Sequence, residues 1–329
     1  MATSGSYNYS VSALTVIQKS LEDLQVVQEG ESPTAAQLAK ALVSLNMLVK
    51  QHQGLEFGAP GQKVHSRQRV NLFMAVGQQT YLIGPGSSDA RAAVAIGRTT
   101  IDVAEASGQT TLSVAETTDT TTDPTSSKAM ATSDIIGVEL DDGTIHWSTI
   151  SSISAGDTVT IADATSDTAA VGNYVWWFTA RAQRFPHIES AVIRDENRND
   201  VPLTIYRTQA EYDEGVPSKY QDGRPTCILV EPLLTQTRVT LDAQPTDITD
   251  TIVLTVLYPA EDYDASEGSD TLAFPQEAYR FFSWELAFDL SAWAGRWTQQ
   301  MEMNRQEARS LYLNLNPEVS NAYYQPGGL

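Results

Sequence analysis

The sequence predicts an α+β protein: an N-terminal helical hairpin and a long C-terminal helix form a helical bundle beside an antiparallel β-sheet domain with an inserted small all-β module. Three observations lead there. Apolar residues recur at helical spacing near both ends, alternating patterns fill the middle, and one central stretch departs from its flanks in charge and composition.

The hairpin spans residues 11–54. Leu14, Ile17, Leu21 and Leu24 recur at spacings of three and four, which places them on one helical face. Gly30 breaks the pattern. Ser32 followed by Pro33 reads as an N-cap with a first-turn proline, and the run to Val49 is rich in Ala, Leu and Lys before Gly54 ends it.

From Gln68 to Ile83, QRVNLFMAVGQQTYLI reads as two short strands about a turn at Gly77. Three Thr-rich stretches follow: TIDVAEAS from Thr100, TLSVAETT from Thr111 and TVTIADAT from Thr158. Each alternates small polar residues with Val or Ile and ends in an acidic turn. Between them IIGVELDDGTIHWSTI, residues 135–150, has the form of a hairpin turning at Asp141, Asp142 and Gly143. From Thr100 to Gly172 twelve acidic residues face one base, Lys128, a net charge of −11 that sets this module apart. Strand patterns resume at Tyr174 to Phe178, run through AVIRDENRNDVPLTIY from Ala191, and recur in CILVEP from Cys227 and TIVLTVLYP from Thr251.

Pro275 opens the last regular element, a helical tract in which Phe281, Trp284, Phe288, Trp293 and Trp297 accompany Leu286, Ala287, Leu290 and Ala294. After Pro317 neither a helical nor a strand period remains, so an extended tail is expected. The resulting division is 1–98 for the hairpin and first strands, 99–173 for the acidic module, 174–273 for the rest of the sheet, 274–316 for the aromatic helix and 317–329 for the tail.

An apolar fraction of 41% over 329 residues suffices for a packed core. Cys227 is the single cysteine, which excludes an intrachain disulfide framework and leaves packing and assembly to supply stability. The opening MATSGSYNYS lacks a basic stretch followed by an apolar one, and nowhere do 18 apolar residues run together, so a soluble chain made in the cytoplasm, with no membrane partner, is expected. A net charge of −20 argues against wrapping nucleic acid, because phosphate affinity comes mainly from Lys and Arg. It still allows a polyanion to slide past.

The search for chemistry is mostly negative. There is no GxxxxGK[ST] loop, no GxSxG elbow, no HExxH and no GxGxxG opening a helix, so neither a cofactor nor a metal is expected. His52, His65, His146 and His187 lack metal-ligand spacing. DYDASEG from Asp262 faintly resembles a calcium loop but has Glu267 and Ala273 where that loop needs Gly and Glu. Glu277 and Glu285 are the least ordinary carboxylates, yet they stand about two helical turns apart, and a surface or interface role suits them better than glycoside hydrolysis. Aromatic residues at helical spacing usually make a core. Here their number exceeds what one small core covers, and the remaining reading is a subunit interface, with Arg296, Arg305 and Arg309 free to pair with a neighbour's acids.

Three segments in order resemble the head-to-tail adaptors, or tail accessory factors, of short-tailed bacteriophages. They are ALTVIQKSLEDLQVVQEGESPTAAQLAKALVSLNMLVK near the N-terminus, RFPHIESAVIRDENRNDVPLTIYRTQAEYDEGVPSKYQDGRPTCILVEP in the middle, and LAFPQEAYRFFSWELAFDLSAWAGRW near the end. The resemblance covers roughly residues 11–83 and 174–316 and leaves the acidic module aside. It implies a virion protein at the head–tail junction, made in the bacterial host's cytoplasm. Such a protein forms a ring with copies of itself, a dodecamer in the family, which docks under the portal protein and extends the exit channel for double-stranded DNA. It also receives tail components such as a nozzle, tube or fibre. Paired amphipathic helices and an aromatic helix supply the head-to-tail faces that a closed ring needs. Tyr323 and Tyr324 in the tail would anchor on a partner's grooves. The module, whose ends join the main sheet, is expected on the outside of the ring. The competing expectations are another connector ring such as a stopper or tube protein, a tail-associated peptidoglycan hydrolase, and a carbohydrate-binding or decoration protein centred on the module.

Overall fold

The computed structural model describes residues 10–53, 66–84, 91–123, 126–195, 197–258, 262–264, 272 and 278–314. They fall into two compact units, one drawn from the two ends of the chain up to Ser66 and from Pro259 onward, the other spanning Arg67–Tyr258. Five helices are present among the described residues: α1 (Ala13–Asp23), α2 (Ala35–Gln53), α3 (Gln209–Gly215), α4 (Tyr279–Ala294) and α5 (Gln299–Asn314). All but α3 belong to the first unit.

In the helical unit Ile17, Leu21 and Leu24 are fully buried, and they share a core with Ala41 and Leu45 of α2 and Phe282, Leu286 and Ala287 of α4. Each fully buried Leu contributes about 2 kcal/mol relative to exposure. Between α1 and α4 the buried Ser20 hydroxyl donates to the Ser283 carbonyl at 2.9 Å, a polar tie that also lets the two backbones approach. The hairpin differs from expectation at the start of α2. Thr34, not Ser32, makes the cap: its N–H donates to Gln37 Oε1 at 2.8 Å and its hydroxyl accepts from the Gln37 N–H at 3.3 Å. This reciprocal pair satisfies two otherwise orphaned donors and leaves Pro33 outside the helix.

The predicted long C-terminal helix is two helices. Gly295 takes a left-handed conformation, φ 65°, and its N–H closes α4 on the Ser291 carbonyl. The chain then restarts at Thr298, whose hydroxyl accepts from the Met301 N–H. Glycine tolerates that φ without a Cβ clash, and an apolar pattern that continues on both sides conceals the break.

The second unit is built from strands. β1 (Ser66–Phe73), β2 (Thr80–Ile83) and β3 (Arg91–Ala93) lead into β4 (Gly97–Thr100), β5 (Thr111–Ser113), β6 (Thr118–Asp123), β7 (Ser126–Ala129), β8 (Ile135–Glu139), β9 (Ile145–Ser154), β10 (Thr158–Ile161) and β11 (Tyr174–Phe178). Then come β12 (His187–Arg194), β13 (Asp200–Pro202), β14 (Thr204–Tyr206), β15 (Gln221–Asp222), β16 (Cys227–Pro232), β17 (Thr237–Leu241), β18 (Ala243–Gln244) and β19 (Thr251–Tyr258). A five-stranded sheet ordered β13-β12-β19-β1-β3 and a four-stranded sheet ordered β14-β16-β17-β2 share one core, which includes Val70, Leu72, Tyr81, Phe185, Ile228 and Leu254. The strands about Gly77 therefore do not pair with each other; β1 and β2 lie in different sheets.

The acidic module and the adjoining β11 build a six-stranded sheet ordered β4-β11-β8-β9-β10-β5, and β6 and β7 pair separately as a two-stranded sheet. The two edges of the larger sheet meet through an antiparallel bridge between Ile101 and Val114, so the sheet closes on itself as a small barrel. Five of the six strands send apolar residues inward, among them Leu112, Val138, Ile150, Val159 and Trp177, and Ile101 adds to them just after β4. The hairpin turning at Asp141–Gly143 forms as predicted, with Ile135 opposite Thr149 and Glu139 opposite Ile145. Tyr174–Phe178, assigned from sequence to the main sheet, lies inside the barrel between β4 and β8. Trp177 packs where Gly97 leaves room: a Cβ on Gly97 would sit 2.2 Å from Trp177 Cε2. On the outside of the barrel Phe178, Trp176 and Trp147 gather around Phe73 of β1, at 6.3, 5.5 and 5.2 Å between ring centroids. The module is thus fastened to the five-stranded sheet by an aromatic cluster.

These features correct the predicted fold class. Strand makes up 35% of the described residues and helix 26%, and the fold is not dominated by a helical bundle. The expected single antiparallel sheet is several sheets, with parallel pairs at β14–β16 and β15–β18. Long apolar-rich helical tracts stand out at both ends of the chain, whereas strands of two to six residues give weak signals, which led the helices to be overweighted.

Candidate interaction surface

The helix α4 is apolar on nearly every side. Its buried stripe, Phe281, Phe282, Leu286 and Leu290, serves the core, with Phe281 stacked on Tyr312 of α5 at 4.1 Å between ring centroids. Trp284 is half-buried against the same core. Phe288 and Trp293 point outward, 38% and 44% exposed.

The turn at Gly295 folds the following residues back over these outward rings. Trp297 meets Phe288 edge to face at 5.2 Å. The Arg305 guanidinium carbon lies 3.8 Å from the Phe288 centroid, while Nε and Nη2 donate to Glu285 Oε2 at 3.1 and 2.9 Å. Trp297 Nε1 donates to Glu302 at 3.2 Å. On the far side Lys40 Nζ stands 4.7 Å from the Trp293 centroid, and Arg296 donates to the Gln25 carbonyl. Phe288, Trp297 and Arg305 thus form one assembled group, Trp293 and Arg296 border it, and Phe281 and Trp284 belong to the packing beneath. Arg309 is exposed, and Tyr323 and Tyr324 lie outside the described residues. Arg305 is engaged within its own chain, unlike the expectation that it awaits a neighbour's acid.

Burial and the Arg309 charge lower the pKa of His52, opposed by Glu285; its ring is edge-on to Phe281 at 5.0 Å. Burial, then Glu285, raises Asp289, opposed by Arg305. The Tyr312 hydroxyl is pushed up to about 12 by burial. His52 and Asp289 both feel the Glu285 charge, which opposes the shift of the first and adds to that of the second.

The other candidates do not assemble. Among the described residues no three His, Cys, Asp or Glu converge to hold a metal ion. Glu285 is held by Arg305, and Glu277 lies outside the described residues, as do His65 and positions 265–271 of the calcium-like segment. Asp262 of that segment pairs with Lys50 at 2.9 Å. The Cys227 thiol is buried and pushed up to about 12, which suits a packing role over a nucleophile. A cleft beside the Arg224–Asp250 pair, lined by Met74, Pro225 and Pro245, has a volume of about 30 Å³, room for a water and not for a substrate. No described helix is long and apolar enough to cross a membrane.

No protein-family model and no curated protein sequence matches this chain. Rigid aromatic rings braced by guanidinium and carboxylate groups lose little entropy when a partner covers them. Sequence reasoning found most of this group but missed the apolar residues exposed on α2 and α5: Val43, Met47, Met303 and Leu311. The signal was present, because the apolar residues of α2 exceed one face.

Proposed function

We propose that the chain is one subunit of a head-to-tail adaptor ring of a short-tailed bacteriophage. The ring docks beneath the portal protein, extends the DNA exit channel and presents a surface to tail components. One observation carries this reading: the helical unit leaves Phe288 and Trp293 exposed, each braced by a neighbouring cation, Phe288 also by the half-buried Trp297. Large rings exposed in this way suit a partner surface. The ordered resemblance of three sequence segments supports the family, and a charge of −20 favours a channel past which DNA slides without trapping.

Assembly is driven by the portal. Ordering long side chains and chain termini costs entropy that partner contacts must offset, so the purified chain stays mainly monomeric. Electron microscopy of the protein with and without portal rings tests the reading. Stacked rings in the mixture alone are expected, and a mixture that shows bare portals overturns it.

A further inference from the structure

The barrel carries two exposed valines that its own packing does not call for. After β4 the chain runs antiparallel to residues 169–173: the Ile101 N–H donates to the Asn173 carbonyl at 2.9 Å, and Glu105 and Ala169 exchange hydrogen bonds at 2.8 and 3.0 Å. Val103 and Val171 fall opposite one another between these ties, 56% and 63% exposed, with Ala104 and Ala170 exposed beside them. A single exposed valine is ordinary. Two at facing positions make a small apolar patch.

This ribbon is held firmly. Val171 stands in a tight turn closed by the Asn173 N–H on the Ala170 carbonyl at 3.2 Å, with Gly172 at φ 94°. From the hairpin turn beyond β8, the Asp141 carboxylate accepts from the Ala170 N–H at 2.9 Å, from Asn173 Nδ2 at 2.9 Å and from the Thr168 hydroxyl at 2.7 Å. Such turns favour Gly, Pro, Asn, Asp and Ser, and a β-branched valine contributes nothing to this one. A surface fixed in this way loses little freedom when a partner covers it.

The rim of the patch is acidic. Asp102 precedes Val103, Glu105 follows two residues later, Asp141 grips the turn and Asp167 stands further along the ribbon. Among the described residues none of these four is in an ion pair. Glu105 accepts from the Ser113 N–H and Asp167 from the Thr168 N–H, bonds that leave the negative charge in place. The Thr168 hydroxyl, then the Ala170 N–H and Asn173, hold the Asp141 carboxyl below the usual carboxylate range. Lys128 is the one base between Thr100 and Gly172, and its Nζ donates to the Thr179 hydroxyl.

We propose that this ribbon docks a protein segment that presents an apolar side chain flanked by lysine or arginine. The proposal concerns a different surface from the ring reading and does not rest on it. Covering Val103 and Val171 removes them from water, and carboxylates that no cation of this chain neutralises select a cationic frame around the contact. The same carboxylates exclude two other occupants. A second copy of the barrel would set like charge against like, and nucleic acid would add its phosphates.

The test uses the full chain and a fluorescent amphipathic peptide of leucine and lysine, read by anisotropy at low and high salt. A leucine–glutamate peptide and a serine–lysine peptide are the controls. The leucine–lysine peptide is expected to bind and to be released in part by salt, and both controls to bind far more weakly. Val103→Ser with Val171→Ser should weaken binding about tenfold or more, the order set by leaving one valine uncovered. Asp102→Asn with Asp167→Asn spares the turn that Asp141 ties, and should weaken binding while flattening its salt dependence. Parental affinity in the serine variant overturns the proposal, as does a leucine–lysine peptide that fails to bind. Equal binding of the serine–lysine peptide marks diffuse charge attraction and overturns it too. If the serine variant melts early, the asparagine variant decides, and its unchanged affinity overturns the proposal.

Discussion

Arg305 of α5 donates twice to one oxygen of Glu285 on α4, at 3.1 and 2.9 Å, while the other carboxylate oxygen, Oε1, is buried and accepts no hydrogen bond among the described residues. Both side chains are largely removed from water, so the pair fixes how α5 lies on α4 more than it adds stability.

Removal of one partner is therefore expected to be worse than removal of both. Arg305→Ala should lower the unfolding free energy by about 3–5 kcal/mol because it strands a buried carboxylate. Arg305→Met with Glu285→Gln should recover most of that loss. Chemical denaturation of the three proteins checks the order, and an Arg305→Ala protein as stable as the parent would contradict it.

Stability should fall as the solution is acidified below about pH 6.5. The folded-state pKa of His52 is lowered, first by burial, so the fold binds fewer protons than the unfolded chain in the window between the lowered value and the ordinary one near 6.5. The stabilisation is full above 6.5 and is lost as pH drops through that window. His187, also lowered by burial and by Arg207, acts with the same sign in the other unit. Asp289, raised by burial, acts oppositely, over the range above its ordinary value of 3.8, and its side chain is largely solvent-exposed, which weakens it. His52→Gln should flatten the slope of melting temperature between pH 7 and 5.5 in part; an unchanged slope would place the effect elsewhere.

Excision of the acidic module depends on where the cut is made. A Gly/Ser linker in place of residues 99–173 removes β5 to β10 and strips the partners from β11, exposing Trp176, Trp177 and Phe178. That protein is expected to aggregate. A cut that takes out residues 97–178 together with Phe73→Ser removes the whole barrel and its anchor, and should leave a soluble remainder that still assembles on the portal. Light scattering and microscopy distinguish the two variants; loss of ring formation with the second would place the barrel between subunits, against the expectation that it stands on the outside.

Truncation after Asn316 should leave the melting temperature within a degree or two, since NPEVSNAYYQPGGL has no periodic apolar face to give to a core. Docking on portal rings should be lost with Tyr323 and Tyr324. Normal docking by the truncated chain would show that the anchor lies in the helical face alone.

The existence of α1 and α2, the hairpin about Gly143, an apolar helical tract after Pro275 and the lack of common catalytic motifs were legible from residue order, because each depends on local period, a local turn or a short motif. Leu21 and Leu24 follow from spacing, and Gly143 from the φ that its turn requires. Other features needed the tertiary structure. Gly295 reads as one more small residue in an apolar run until the chain must turn α5 back onto α4. Tyr174–Phe178 has the same alternation whether it pairs with β12 or with β8, and the choice is made by Trp177 filling the space beside Gly97. Which rings of α4 are core and which are surface was likewise undetermined, because a helix apolar on all sides has no preferred face until its neighbours take theirs. Periodicity is a property of near neighbours in sequence, whereas pairing and exposure depend on contacts between separate elements, such as Trp177 with Gly97.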